Sequence, residues 1–192
     1  TTTAPPAVVT PFSRAPQTEA ERRANTIAEE GFFHARIGNH ERAIAFFRQA
    51  LEVDPTNRRA LFGLGTSLIA TEQYSEATNV LIRSMELEPS DYFAFNNLAW
   101  LHATARDIRF RDGGRAIEYA QRALVLAPSD YRVWSTLAES YYVSGQYARA
   151  RRAAEEALRL ARLSNLASNV VAEYEAQVRR CRAAEQAMDI LE

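Results

Sequence analysis

All 23 basic residues of this 192-residue chain are arginine. A guanidinium stays protonated, carries a rigid fork of donors and suits bidentate recognition of carboxylates. Without lysine, Schiff-base chemistry and lysine-dependent phosphate loops are excluded. Other reactive groups are scarce: three histidines (His34, His40 and His102) and one cysteine, Cys181. None of the histidines stands in a pattern with carboxylates that would hold a metal or relay a proton, and no Ser–His–Asp logic or phosphate-binding glycine loop is present. No catalytic, cofactor or metal site is therefore expected, and the chain reads as a non-enzyme. One cysteine permits neither an intramolecular disulfide nor a cysteine metal cluster. His34 and His102 are expected as satisfied core histidines. Cys181 is expected as a small apolar residue under a helix, in spite of its neighbours Arg179, Arg180 and Arg182.

Arginine is also dense in the segment 104–116, where Arg106, Arg109, Arg111 and Arg115 lie close together. The expected form is a solvated loop neutralised by Asp107 and Asp112, with Ile108 and Phe110 tucked against the body of the protein. The net charge of −1 favours neither nucleic acid nor an anionic membrane. No run of about 18 apolar residues is present to span a bilayer. The lack of lysine reads as the codon bias of a GC-rich genome, and hence as a bacterial chain.

The elements that would position these groups follow a repeat. Pro55, Pro89 and Pro128 close the stretches ALEVDPTN, SMELEPSD and ALVLAPSD. The first two are 34 residues apart, and the last two differ by that period plus an insertion of five. A period of about 34 belongs to helix–turn–helix solenoids. Thr18 and Glu21 form a capping box that opens the first helix. Helix breaks follow at Gly38-Asn39, Glu72-Gln73 and Gly145. The spacing predicts paired helices within 24–57, 58–91, 92–130 and 131–164, four repeats in a body covering 17–164, and a single long helix over 165–192. That last helix starts in register and reads as a cap over the open end, with Val171, Tyr174, Val178, Cys181 and Met188 near one face. Residues 1–16 hold four of the seven prolines and read as an extended Thr/Pro-rich tail or linker.

The repeats resemble the tetratricopeptide repeat. That pattern has Trp, Leu-Gly and Tyr in the first helix, then Ala, an aromatic and Pro around the second. The fourth copy reads Trp134, Leu137-Ala138, Tyr141, Ala150 and Ala154; the second reads Leu61, Leu64-Gly65, Leu68, Ala77, Leu81 and Pro89. The resemblance implies an all-α, right-handed α-solenoid with a C-terminal capping helix. Gly31, Gly65, Ala99 and Ala138 would be small because the paired helix crosses there, as would Ala43, Ala77, Ala116 and Ala150 on the other helix.

It also implies a concave groove lined by the first helix of each repeat. The positions that share this face include Arg59, Phe62 and Thr66, then Phe93, Asn96, Asn97 and Trp100, then Arg132, Ser135, Glu139 and Tyr142. Aromatic and arginine side chains are the usual anchors of interfaces, and the two asparagines carry amides able to pair with an extended backbone. The expected function is a non-catalytic protein–protein interaction module, holding a protein or peptide segment in that groove. The alternative is an architectural subunit of a larger assembly, free or membrane-associated. Its contacts would run through the tail, by Val8, Val9 and Phe12, and through the terminal helix, as a homo- or hetero-oligomer. The Thr/Pro start fits a cytoplasmic linker and equally a spacer after a removed export signal or anchor, which would place the chain in the periplasm.

Overall fold

A computed structural model describes residues 18–190; the Thr/Pro tail, with Val8, Val9 and Phe12, lies outside them. Among the described residues there are nine α-helices and no strand. They are α1 (Glu19–Arg36), α2 (His40–Val53), α3 (Arg58–Ala70), α4 (Tyr74–Leu87), α5 (Tyr92–Thr104), α6 (Gly113–Leu126), α7 (Tyr131–Val143), α8 (Tyr147–Leu163) and α9 (Ser168–Asp189). Each helix packs on the next. The first helices also touch their counterparts, α1 with α3, α3 with α5 and α5 with α7, while the second helices approach one another less closely. The chain is an α-solenoid whose inner curve belongs to the first helices and whose end is covered by α9.

The local signals repeat with the period. Thr18 and Glu21 make the reciprocal capping box at the start of α1. Asn57, Asp91 and Asp130 occupy the same place in three repeats, and each accepts a backbone N–H at the start of its first helix. The turn inside the pair also keeps its form: Gly38, Glu72 and Gly145 all adopt the left-handed conformation. In the third pair the insertion begins where that turn would be. Phe110 packs on Tyr74 with ring centres 5.4 Å apart, and its carbonyl meets His102 Nδ1 at 2.9 Å. Ile108, expected against the body, is 77% exposed instead. The short 3₁₀ turn Ile108–Phe110 aims only one of its two apolar residues inward. Three of the four arginines of the segment meet carboxylates, Arg106 at Glu72 (2.7 Å), Arg109 at Asp107 (2.6 Å) and Arg115 at Asp112 (3.6 Å), while Arg111 donates to the Ala105 carbonyl at 2.6 Å.

The core shows why small residues mark the repeat. The Phe47 ring lies between two glycines of adjacent repeats. A Cβ built on Gly31 would come within 2.7 Å of it, and one on Gly63 within 2.2 Å. In the next repeat the knob is Leu81, 2.7 Å from a Cβ at Gly65. The two after that are Ala120 and Ala154, both fully buried. The large knobs Phe47 and Leu81 face the glycine notches Gly31 and Gly65, whereas the small knobs Ala120 and Ala154 fall in the repeats whose notch residues are Ala99 and Ala138; larger knobs go with smaller notches, as close packing requires.

His102 is buried and hydrogen-bonded, as the sequence predicts. His34 departs from its expected role. It is half-buried, stacks on Phe46 at 5.3 Å, and its Nδ1 is buried without a hydrogen-bond partner.

Candidate functional site: a cleft between the first helices and the terminal helix

The eleven groove residues fall into three groups. Furthest toward the N-terminus is an aromatic row, in which Phe62 lies 6.3 Å from Phe32 and 5.1 Å from Phe93. Phe93 stacks on Tyr92 at 4.1 Å. Arginines cap both ends of this row. Arg59 sits 5.5 Å over Phe32 and pairs with Glu29; Arg132 sits 5.4 Å over Phe93.

The middle group forms an open cleft of about 600 Å³. Thr66, Asn96, Asn97, Trp100, Arg132 and Ser135 line one side of it, and Glu173, Tyr174, Ala176, Gln177 and Arg180 of α9 line the other. Trp100 is 40% exposed, an uncommon state for so large an apolar surface unless something covers it. Asn97 Nδ2 donates to the Thr66 hydroxyl at 3.2 Å. Asn96 Oδ1 is buried and accepts no hydrogen bond, a state that costs about 1–3 kcal/mol until a donor arrives.

The third group is taken up by α9. Ser135 Oγ donates to Gln177 Oε1 at 2.9 Å, and Gln177 Nε2 donates back to the Ser135 carbonyl at 3.0 Å. Arg180 pairs with Glu139 and lies 4.4 Å over the Tyr142 ring. Ser135 thus lines the open cleft as expected, while Glu139 and Tyr142 are engaged by Arg180 of α9. The terminal helix does not merely cover the end of the stack; it turns one edge against the groove face of α7. Tyr174, Gln177 and Arg180 are the groove residues that sequence reasoning missed. Their signal was the register of α9, which starts one period after α7 and so occupies the place of a further first helix.

Charge is organised around Asp130. Burial works against its ionisation, but hydrogen bonds from Arg132 side chain and backbone, with help from Tyr92, hold the carboxyl below its usual range. Arg132 is held protonated in return. Burial, then the hydrogen bond to Asp130, pushes the Tyr92 hydroxyl up to about 12. Burial likewise raises Tyr174 to about 12. Asp91, at the equivalent cap one repeat earlier, moves the other way: desolvation raises it.

The two caps therefore respond oppositely to one substitution. Asp91→Asn keeps a capping oxygen and removes a desolvated charge, as Asn57 already does one repeat before; stability at pH 7 is expected to hold or rise. Asp130→Asn strips the partner from Arg132 and is expected to cost about 1.5–3 kcal/mol. The pH dependence carries the same signs. The Asp130 contribution is present above its unfolded pKa and is lost as pH falls through its lowered folded value. The Asp91 penalty is present above its raised folded value and disappears as pH falls. Urea melts of the two variants between pH 3 and 7 check both.

Cys181 is fully buried, and desolvation pushes its thiol up to about 11, so it packs as a small apolar group. Among the described residues, no cluster of His, Cys, Asp and Glu side chains is placed to hold a metal ion, and no helix is long and apolar enough to cross a membrane.

The fold and the cleft define a class, the helical-repeat solenoids built from antiparallel helix pairs. Within that class the sequence is specific. Family models described as tetratricopeptide repeat match residues 37–99 and 131–163, and the chain carries tetratricopeptide repeats there. It is 27% identical over 134 residues to the tetratricopeptide repeat-containing protein trd-1 of Caenorhabditis elegans, covering 68% of this chain and 16% of that protein. It is 25% identical over 125 residues to Superkiller protein 3 of Schizosaccharomyces pombe, covering 64% of this chain and 9% of that protein. The chain thus spans only a small part of these curated relatives. Among solved structures, the Cut9–Hcn1 hetero-tetramer of the APC/C superposes with a TM-score of 0.76 at 17% identity, over 86% of this chain and 31% of that one. A thermophilic TPR protein of Thermus thermophilus superposes with a TM-score of 0.71 at 16% identity, over 86% of this chain and 84% of that one. These likenesses establish the fold.

Proposed function

We propose that the chain is a non-catalytic interaction module that holds an extended segment of a partner protein in the cleft between α3, α5, α7 and α9. The observation that carries this reading is the pairing of exposed Trp100 with the buried, unpartnered Asn96 Oδ1 in one concavity. A backbone N–H of the bound segment satisfies the amide oxygen, and an apolar side chain of the same segment covers the indole. Such a contact has the form of an interface anchor: a large aromatic beside a polar group that is costly when dry. Arg132 is already committed to Asp130, so it shapes the cleft and offers little free charge. A bacterial origin remains our reading, supported by the lysine-free composition.

Peptides selected by display against the intact chain test this. Their affinity is expected to fall at least tenfold for Trp100→Ala and for Asn96→Leu, with helicity by circular dichroism unchanged. Selected peptides that bind both variants at wild-type affinity would reject the cleft.

A second reading, an architectural subunit of a larger assembly, is favoured by the relatives themselves, in which this stretch is a minor part of a much longer chain. In that reading the tail contacts through Val8, Val9 and Phe12, together with α9, join the chain to its neighbours.

A further inference from the structure

On the opposite face of the solenoid, the second helices α6 and α8 stand apart and leave a groove of about 570 Å³. Its floor is apolar and aromatic: Leu124, Trp134, Leu137 and Tyr141. One wall carries Arg149 and Arg152, both exposed, and Glu156, whose charge is taken up by Arg159 at 2.6 Å. Neither meets a carboxylate among the described residues; Arg149 donates to Gln146 at 2.9 Å and lies 5.8 Å from the Tyr141 ring centre. This is the reverse of Arg106, Arg109 and Arg115 of the insertion, each of which meets a carboxylate. An apolar trough with two uncommitted guanidiniums on its rim fits an apolar segment bearing acids.

The chain contains such a segment. At the end of α9 the sequence reads Met-Asp-Ile-Leu-Glu over 188–192. Met188 is 43% exposed and Ile190 83% exposed, so the apolar residues described there are left uncovered by the rest of the molecule. Two acids, Asp189 and Glu192, stand among them in sequence, equal in number to the two arginines of the trough. Helix α9 packs on α7 and α8 and leaves the trough between α6 and α8 open.

We propose that the end of α9 of one copy docks into the α6–α8 trough of a second copy. Apolar residues of the segment cover Trp134 and Tyr141, and its acids pair with Arg149 and Arg152. Because the two contacting surfaces differ, the contact is heterologous and each copy keeps one free trough and one free helix end. Assembly then grows beyond a dimer. The concave cleft takes no part in it, so this proposal and the peptide-holding role stand or fall separately.

Sedimentation equilibrium on the full chain tests it by charge exchange. The wild-type weight-average mass is expected to rise above 21.6 kDa with concentration. Arg149→Glu/Arg152→Glu and Asp189→Arg/Glu192→Arg, each alone, place like charges at the contact and should remain at the monomer mass. An equimolar mixture of the two restores opposite charges at both junctions and should associate again. Arg149→Gln/Arg152→Gln, a milder change on an exposed face, should weaken association and serves if the Glu variant misfolds. A wild-type chain that stays monomeric at every concentration would overturn the proposal. So would association that the variants retain, or a mixture that fails to recover it.

Discussion

Gly63→Ala is expected to destabilise the protein by about 1–3 kcal/mol, lowering its melting temperature by roughly 2–12 °C. The sign is what makes the result informative. Gly63 lies inside α3, and alanine in a helix interior normally gains about 0.8–1 kcal/mol over glycine. Here the added Cβ would sit 2.2 Å from the Phe47 ring, and the ring cannot retreat, because the backbone of Gly31 closes its other face. Phe47 is fully buried and also meets Phe32 edge-on at 4.9 Å, so its rotamer is fixed on three sides. Relief must come from the knob. Phe47→Leu in the Gly63→Ala background should therefore recover part of the loss, since Leu81 is the knob that the next repeat already uses beside Gly65. Thermal melts of the four proteins in the cycle measure the coupling. A Gly63→Ala protein as stable as wild type, or simple additivity with Phe47→Leu, would show that the crossing has room to spare.

That pairing also shows how far the sequence could be read. The recurring prolines and the Gly/Ala positions set the period, and from them the helix pairs and the places where helices cross. Gly63 escaped notice because it sits where the other repeats carry Glu29, Asn97 and Thr136. It looks irregular until the knob it faces is known to be Phe47. A single-residue code records where a crossing falls; the size of the notch is a property of two residues from different helices. The groove residues divide for a similar reason. Helical periodicity placed Trp100, Asn96 and Thr66 on one face, and they do line one cleft. Periodicity within α7 could not reveal that Gln177 and Arg180 would reach back to Ser135 and Glu139, because those contacts cross from one helix to another some forty residues on. Ile108 failed for a simpler cause: in a three-residue 3₁₀ turn, neighbouring side chains diverge, so Phe110 can pack while Ile108 stays in water.

The largest effect at the other end of the solenoid should come from Cys181→Asp, which is expected to detach α9. Two sets of interactions hold that helix. One is polar: Gln177 with Ser135, Arg180 with Glu139, Arg151 with Glu185 and Arg162 with Glu175. The other is a narrow seam in which Val178 and Cys181 join the core formed by Leu137, Ala138, Ala150, Ala153 and Ala154. The polar set looks the more extensive, yet Arg162 meets Glu175 with both side chains in solvent, and exposed pairs contribute only about 0–1 kcal/mol each. The seam is small but dry. A carboxylate at a fully buried position without a cation to meet it costs several kcal/mol, more than the surface pairs can offset. Arg162→Ala should change stability by about 1 kcal/mol or less and leave α9 protected from hydrogen exchange. Cys181→Asp should bring the α9 amides to exchange rates near those of an unfolded chain while α3 and α5 stay protected. Detachment also removes the far wall of the cleft and uncovers Ser135, Glu139 and Tyr142. Peptides that need only Trp100 and Asn96 would then keep their affinity, and peptides that also touch Tyr174 or Gln177 would lose it. If α9 instead stays protected in Cys181→Asp and is released in Arg162→Ala, the polar contacts hold the helix, and the cleft is walled by charge pairing in place of apolar packing.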